Sequence, residues 1–427
     1  MTTLIIALIL ALLALYGTPL FAIISAIALL AFYFAGIDTS VVIVELYRLA
    51  SQPVLLAIPL FTFAGYLLAE SKAPSRLVNF SRALFGWIPG GLSIVALLTC
   101  AIFTALTGAS GVTIIALGGL LYPILMQEKY PENFNLGLLT SSGNLGMLFP
   151  PSLPIIVYGL ISEVSVDKLF IAGFVPGLLM IVLLSIYSVY KVKGMTLSTT
   201  PFDLRKALVA TKEAAWELPL PLIIIVGIYG GFFTPTEAAA VTAFYVLIVE
   251  VFIYRDIKIK TGLPRVMRES MVLVGGILVI LAAALGMANY MIDAEIPMAI
   301  LDFMKNFISS KILFLITLNI FLLVVGCLLD VFSAILVVVP LIIPIAQNFG
   351  VDPVHLGIIF LANLGIGYTT PPVGMNLFIA SFRFEKPVIQ LYVASLPFLA
   401  IMLIALVLIT YIPDLSLWLV DLLSHNP

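Results

Sequence analysis

Apolar residues run unbroken over long stretches of this chain, and the charged ones cluster in short segments between them. Leu4–Phe34 and Val388–Ile412 carry no charged residue at all. Barrel strands would alternate over roughly 10 residues; runs of this length predict membrane-spanning helices. Four segments are too long or too broken for simple spans. Gly91–Met126 is 36 residues without a charge, and Ile312–Gln347 is 36 residues whose single charge is Asp330. A straight helix of that length would reach about 54 Å, against a hydrocarbon core of about 30 Å. The first centres on Thr107-Gly108-Ala109-Ser110-Gly111 and the second on Leu329-Asp330-Val331-Phe332-Ser333. Both predict re-entrant hairpins that turn at mid-depth. Phe134–Ser162 and Pro353–Phe382 are charge-free inside and interrupted by Asn144-Leu145-Gly146 with Pro150-Pro151, and by Asn363-Leu364-Gly365 with Pro371-Pro372. Proline removes an amide donor and glycine permits unusual dihedrals, so each segment predicts a broken helix.

The order hairpin, then broken helix, therefore occurs twice. The offset is 223 residues from Thr107 to Asp330, 219 between the Asn-Leu-Gly copies and 221 between the Pro-Pro copies. Five predicted crossings separate the two hairpins: the first broken helix, Leu169–Tyr190, Leu218–Phe233, Glu237–Tyr254 and Met271–Ile292. An odd number makes the repeat inverted, with two hairpins meeting tip to tip near the midplane. Inverted repeats with discontinuous helices at the midplane are the pattern of secondary transporters. The fold expected is an all-α polytopic membrane protein of about ten crossings. Residues 1–90 form scaffold helices and an arm, 91–162 the first hairpin and broken helix, 163–311 further scaffold, 312–382 the second hairpin and broken helix, and 383–427 a last scaffold helix and tail.

Charge gives the orientation. Ten of the 20 Lys and Arg lie in Lys191–Glu217 and Arg255–Glu269, which the positive-inside rule puts in the cytoplasm together with Ser71–Arg82. The acid-rich Asp293–Asp302 and the tail with Asp414 and Asp421 read as external. Of the 427 residues, 62% are hydrophobic and 10% charged, which excludes a soluble enzyme. A net charge of −2 leaves no basic surface for nucleic acid. The first basic residue is Arg48, so no positive n-region marks a cleaved secretory signal, and the apolar N-terminus is expected to stay in the membrane. Cys100 and Cys327 lie in apolar runs and read as buried thiols; His355 and His425 are too few for a metal cage. Tyr47, Arg48, Trp87 and Tyr130 read as interfacial anchors, and Ser40–Leu49 as an amphipathic helix on the bilayer surface.

The chemistry belongs to the breaks. An interrupted helix exposes carbonyl oxygens at one half-end and amide hydrogens at the other, and these suit Na⁺ and a carboxylate respectively. Around them stand mostly neutral oxygens: Thr107, Ser110, Ser141, Ser142 and Asn144 in the first half, and Ser333, Asn363, Thr369, Thr370 and Asn376 beside Asp330 in the second. Hard cations take oxygen ligands of this kind. Small polar residues also simply pack membrane helices, and for any single Ser or Thr that is the plainer reading. A carboxylate at mid-membrane costs about 2.5–3.5 kcal/mol. Asp330 is therefore either a partner for a cation or a substrate hydroxyl, or a backbone-bonded residue with a structural role. Thr234-Pro235-Thr236-Glu237 reads as a capping box and Asp352-Pro353 as a helix start that leaves His355 at the interface.

Several of these segments taken in order resemble a known family. They are the Thr-Gly-Ala-Ser-Gly tip, the Asn-Leu-Gly…Phe-Pro-Pro-Ser break, Leu169-Phe170-Ile171-Ala172-Gly173 with Pro176-Gly177, Phe233–Ala240, and Asn363-Leu364-Gly365 with Thr370-Pro371-Pro372-Val373-Gly374. Together they are similar to the large membrane subunit of tripartite ATP-independent periplasmic (TRAP) transporters over roughly residues 4–412. The resemblance implies Na⁺-driven uptake of a small organic acid, such as a C4-dicarboxylate or sialic acid, across a bacterial inner membrane by an elevator mechanism. It implies a periplasmic substrate-binding protein and a small four-helix membrane subunit as partners, the latter a separate chain. Carried over by position, one Na⁺ site would involve Ser110, Asn144 and Gly146, and a second Asp330, Asn363, Gly365 and Thr370. Substrate would sit near Thr107, Ser110, Ser152 and Asp330.

Three other readings fit some of the pattern. A stand-alone Na⁺-coupled carboxylate transporter would need no binding protein, and a passive channel would not accumulate its solute. An intramembrane serine protease would pair Ser110 as nucleophile with His355 as base.

Overall fold

In this computed structural model residues 9–10, 12–13, 18–88, 90–193, 202–308 and 310–424 are described, and among them regular structure is helical throughout. Parts of the first apolar run, residues 194–201 of the first cytoplasmic loop, and His425 lie outside the described residues, as does the side chain of Arg48. The helices are α1 (Leu20–Phe34), α2 (Ser40–Ala50), α3 (Ala57–Glu70) and α4 (Ala73–Phe85). The first pair of arms is α5 (Gly91–Thr107) and α6 (Ser110–Gln127), followed by α7 (Glu132–Ser142) and α8 (Leu153–Ser162). Then come α9 (Val166–Val192), α10 (Leu204–Glu213), α11 (Pro219–Tyr229), α12 (Pro235–Ile253), α13 (Gly262–Asp293) and α14 (Ile296–Lys305). The second arms are α15 (Lys311–Leu328) and α16 (Val331–Asn348), followed by α17 (Pro353–Gly367), α18 (Met375–Phe384), α19 (Val388–Tyr411) and α20 (Asp414–Ser424).

Eight described helices are long and apolar enough to cross a membrane, and nine when α7 and α8, bent by 44° at their break, are counted as one span. About ten were expected. The eight include α6, α15 and α16, which the sequence assigned to hairpin arms rather than crossings, and leave out short apolar helices such as α1, α5, α11 and α17, which fall below the length of a full span. A break shares one crossing between two helices: α17 at 15 residues and α18 at 10 reach about 22 Å and 15 Å.

The expected helix ends are present. Thr234 accepts from the Glu237 amide while the Glu237 carboxylate accepts from the Thr234 amide, closing the capping box that starts α12. Asp352 accepts from the amides of Val354 and His355 at the start of α17. Ser40–Ala50 is the surface helix the amphipathic pattern predicts. Cys100 and Cys327 are free and buried. Of the expected anchors, Tyr47 and Trp87 are exposed, but Tyr130 is 5% exposed and stacks on Phe134. The reason is local: Lys129 turns through φ 64° and folds Tyr130 back beneath the end of α6.

Packing sorts the helices into two groups. α3 lies between α12 and α13, and α13 also carries α1 and α2. α9 and α19, expected with the scaffold, pack against the breaks. α9 touches the 3₁₀ turn Leu145–Leu148 and α17, and α19 lies along α7 and α17. Gly173 explains the first contact, since a Cβ there would stand 2.1 Å from the Leu148 carbonyl oxygen. The groups meet where α3 packs on α5 and where α13 packs on α16.

Candidate substrate and cation site

Both predicted turns are real interruptions. Helix α5 ends at Thr107, Gly108 takes a left-handed φ of 69°, and α6 begins at Ser110. Gly108 is there for two reasons: the dihedral, and Leu153, whose side chain a Cβ would meet at 2.5 Å. That contact sets Thr107 beside the start of α8, where Ser152 precedes Leu153. The second turn divides α15 from α16 at Leu329–Asp330, and Asp330 caps α16. Its Oδ1 accepts from the amides of Phe332 and Ser333, each at 3.0 Å, and Oδ2 accepts from the Ser333 hydroxyl. The mid-chain carboxylate thus has a structural role of its own.

The first break runs as expected, with helix ending at Ser142, a 3₁₀ turn over Leu145–Leu148, and a cis Pro150–Pro151 bond before α8. The second begins later than the Asn-Leu-Gly repeat predicts. Helix α17 continues through Asn363, Leu364 and Gly365 to Gly367, and the chain opens only over Tyr368–Gly374, with Pro371–Pro372 in cis. The structural correspondence is therefore the 221-residue one. Gly146 faces the backbone of α5, where a Cβ would stand 2.4 Å from the Ala101 oxygen and the Ala105 nitrogen. Gly367 faces the backbone of α15, at 2.5 Å from Gly326.

This register separates two residues expected at one cation. Residues two apart on a helix point about 200° from each other. Gly365 faces Asn144, whose Cβ would stand 3.5 Å from a Cβ built on the glycine, while Asn363 points the other way. There its Nδ2 donates to Asn319 Oδ1 at 2.7 Å, and Asn319 in turn donates to the Thr410 hydroxyl at 3.1 Å. Asn363 joins α17 to α15 and α19, and its own Oδ1 is buried without a partner. Thr370 is bonded within its own turn, donating to the Ile366 carbonyl at 2.9 Å.

The residue that joins the two halves is Asn376, in the first turn of α18. The Ser110 hydroxyl donates to its Oδ1 at 2.9 Å, and its Nδ2 donates to Asn144 Oδ1 at 2.6 Å. Asn376 is fully buried, Asn144 is 5% exposed and Ser110 is 4% exposed. The second tip is held to the same break: the Val331 amide donates to the Tyr368 hydroxyl, and the Gly374 amide donates to the Cys327 carbonyl at 3.1 Å. The segment Tyr368–Asn376 therefore touches both tips. Sequence reasoning counted Asn376 among the oxygens of the second half and gave Tyr368 no role. Their positions just after and at the start of a break were the available signal.

Polar atoms here are left over. Thr107 Oγ1, Ser141 Oγ, Ser152 Oγ and Asn144 Nδ2 are buried without hydrogen-bond partners. Buried polar groups are nearly always satisfied, so such a cluster calls for an occupant. Three of these four atoms are neutral oxygens, with no cluster of His, Cys, Asp or Glu among the described residues, a set that fits a hard monovalent cation better than a transition metal. A nucleophile–base pair is not formed. Ser110 is bonded to Asn376, and His355 Nε2 lies 3.3 Å from the Thr410 carbonyl oxygen. A crevice of about 680 Å³ opens elsewhere, between the α8–α9 turn, α13 and α16. Its lining includes Glu163, Asp167 and Asn289 and none of the predicted site residues.

The family model of the DctM component of the tripartite ATP-independent periplasmic transporters matches residues 4–415. The "C4-dicarboxylate TRAP transporter large permease protein DctM" of Pseudomonas aeruginosa is 40% identical, covering 90% of each chain. The "Ectoine TRAP transporter large permease protein TeaC" of Halomonas elongata is 32% identical over 99% of each. The "Isethionate TRAP transporter permease protein DctMQ" of Oleidesulfovibrio alaskensis is 36% identical over 85% of this chain and 58% of its own length. Among solved structures, the YdaH transporter of Alcanivorax borkumensis superimposes with a TM-score of 0.63 over 86% of each chain at 14% identity, a likeness of fold. With its series of apolar spans, the chain is a multi-pass inner-membrane protein, and it belongs to the family of TRAP transporter large permeases, the DctM component.

Proposed function

We propose that this permease couples Na⁺ entry to import of a small organic anion handed over by a periplasmic binding protein, with a small membrane subunit as its other partner. The observation that carries the reading is the buried Ser110–Asn376–Asn144 bridge between the halves, with the unpartnered oxygens of Thr107 and Ser141 three residues from Ser110 and Asn144 in the chain and that of Ser152 after the first break. Na⁺ would be held by Ser110 and Asn144, with Asn376 added to the set, and by backbone oxygens at the breaks. Substrate would lie toward Thr107, Ser152 and the capped end of α16 at Asp330. No described arginine stands at either tip, so an anion would be held by hydroxyls, amide ends and the charge of bound Na⁺. Relatives named for C4-dicarboxylate, isethionate and ectoine make a small carboxylate the first substrate to try.

The two-group packing suits an elevator. In that reading the hairpins, breaks, α9 and α19 move as one body against α3, α12 and α13, and the two halves are inverted repeats. Glycine at the boundary supports it: Gly65 of α3 brings that helix so near the first tip that a Cβ would stand 2.5 Å from the Thr107 Cα. The test is uptake of a labelled C4-dicarboxylate into proteoliposomes holding this chain and its small subunit, with the binding protein outside. Uptake that needs both an inward Na⁺ gradient and the binding protein is expected. Equal uptake without the binding protein would favour a stand-alone carrier, and uptake indifferent to Na⁺ would remove the coupling.

A further inference from the structure

A second cavity, of about 700 Å³, lies far from the tips between α4 and α10. Both helices belong to the segments whose charge places them in the cytoplasm. Ala207 and Ala210 bury one stripe of α10 as it packs on α4. On the cavity side of the helix, Val209 is 52% exposed. Phe202 and Trp87 stand at the mouth, their rings edge to face at 6.4 Å, and the Trp87 indole donates to the Leu84 carbonyl at 2.8 Å. An aromatic pair with one wet edge and an exposed apolar side chain beside it are marks of an element lying at the level of lipid headgroups.

Inside the cavity the charges are unequal in availability. Arg82 is engaged by Glu128 at 2.6 Å. Asp203 spends its carboxylate on the α10 amides of Arg205 and Lys206, at 2.9 and 3.3 Å. Glu213 lies two turns along α10. Among the described residues, the side chains of Arg205 and Lys206 line the cavity and form no ion pair. Two available cations beneath an aromatic mouth and beside the exposed Val209 fit one kind of ligand: a phosphate diester with acyl chains attached. We propose that the α4–α10 groove binds an anionic phospholipid of the inner leaflet, its phosphate on Arg205 and Lys206 and its chains over Trp87, Phe202 and Val209.

The test uses the full chain, purified and delipidated in detergent. Its unfolding midpoint is measured with phosphatidylglycerol, phosphatidylcholine or inorganic phosphate added, and lipids retained are counted by native mass spectrometry. Phosphatidylglycerol should raise the midpoint by about 3 °C or more and be retained, while phosphatidylcholine and phosphate do neither. In R205Q/K206Q the rise should fall by at least half, and in K258Q/K260Q, which changes two cations outside the groove, it should persist. An undiminished rise in the first variant, an equal loss in the second, or no rise in the parent chain would overturn the proposal. Stabilisation by phosphate alone would also overturn it, in favour of a soluble anion. If R205Q/K206Q fails to fold, a photoactivatable phosphatidylglycerol decides on the parent chain. Crosslinks to Trp87 or to residues 202–209 support the site, and crosslinks confined to other segments refute it.

Discussion

At the scale of single residues, the sharpest case is Asp330, because two roles meet in one carboxylate. The cap needs an acceptor and the proposed site needs a charge, and Asn supplies the first without the second. Asp330→Asn should keep the unfolding midpoint of the parent while Na⁺-dependent uptake falls at least tenfold. Asp330→Ala should lose uptake and also about 0.5–2 kcal/mol of stability, seen as a lower midpoint. Uptake by the Asn variant with an unchanged Na⁺ dependence would leave Asp330 a cap only. Asn376 makes a different demand. It accepts from Ser110 and donates to Asn144, and its short amide reaches both partners at once. Asn376→Ala should raise the Na⁺ concentration for half-maximal uptake by an order of magnitude or more, and Asn376→Gln should not restore it, because the added methylene moves both atoms. A normal Na⁺ response in Asn376→Ala would take the residue out of the site.

At the scale of elements, the breaks are held open by backbone contact as much as by side-chain chemistry. Gly146 on α5 and Gly367 on α15 let a broken helix lie directly on a hairpin arm, and neither position has room for a Cβ. Gly146→Ala should cost about 1–3 kcal/mol through overpacking, measured as a lower unfolding midpoint in detergent. Gly65 occupies the boundary between the two packing groups. Gly65→Ala pushes α3 away from the Thr107 backbone, so it should slow uptake several-fold while binding of Na⁺ by the isolated permease stays intact. Equal loss of both would place Gly65 in the site's own support.

At the scale of the whole molecule, a buried charge cluster ties the arm α4 to the segments around α11 and α12 that the positive-inside rule assigns to the cytoplasm. The Arg76 guanidinium meets Glu217, Glu250 at 3.0 Å and Asp256 at 2.6 Å, and lies over the Tyr254 ring at 3.8 Å. Burial pushes the Glu217 carboxyl above the usual carboxylate range, with Arg76 opposing it. A carboxyl raised in the folded state binds its proton more tightly there than in the unfolded chain. Stability from this group therefore falls as pH rises from the unfolded value, near 4.5, through the folded one. The unfolding midpoint should drop across that interval, and Glu217→Gln should flatten the dependence. Arg76→Ala strands three buried carboxylates and should cost about 3–5 kcal/mol. The orientation rests on the same face: cysteines placed at Lys206 and Lys260 should react with an impermeant reagent only from the cytoplasmic side.

What the sequence determined by itself was everything that local pattern controls. Runs of apolar residues specify helices in a bilayer whatever their neighbours, because each helix satisfies its own backbone there. The turns at Gly108 and Asp330 and the breaks at Pro150–Pro151 and Pro371–Pro372 were equally legible, since glycine, a capping acid and proline act within their own few residues. What only the tertiary structure decided was register and partnership. The repeated Asn-Leu-Gly looked equivalent in both halves, but helix α17 passes Asn363 without stopping and ends at Gly367, which packs on Gly326. Asn363 then faces Asn319, while Asn376, beyond the break, reaches Ser110 across 266 residues of chain. Which side chains meet at a centre built from four separate segments depends on how far each helix runs before it turns, and a difference of two residues reverses the face.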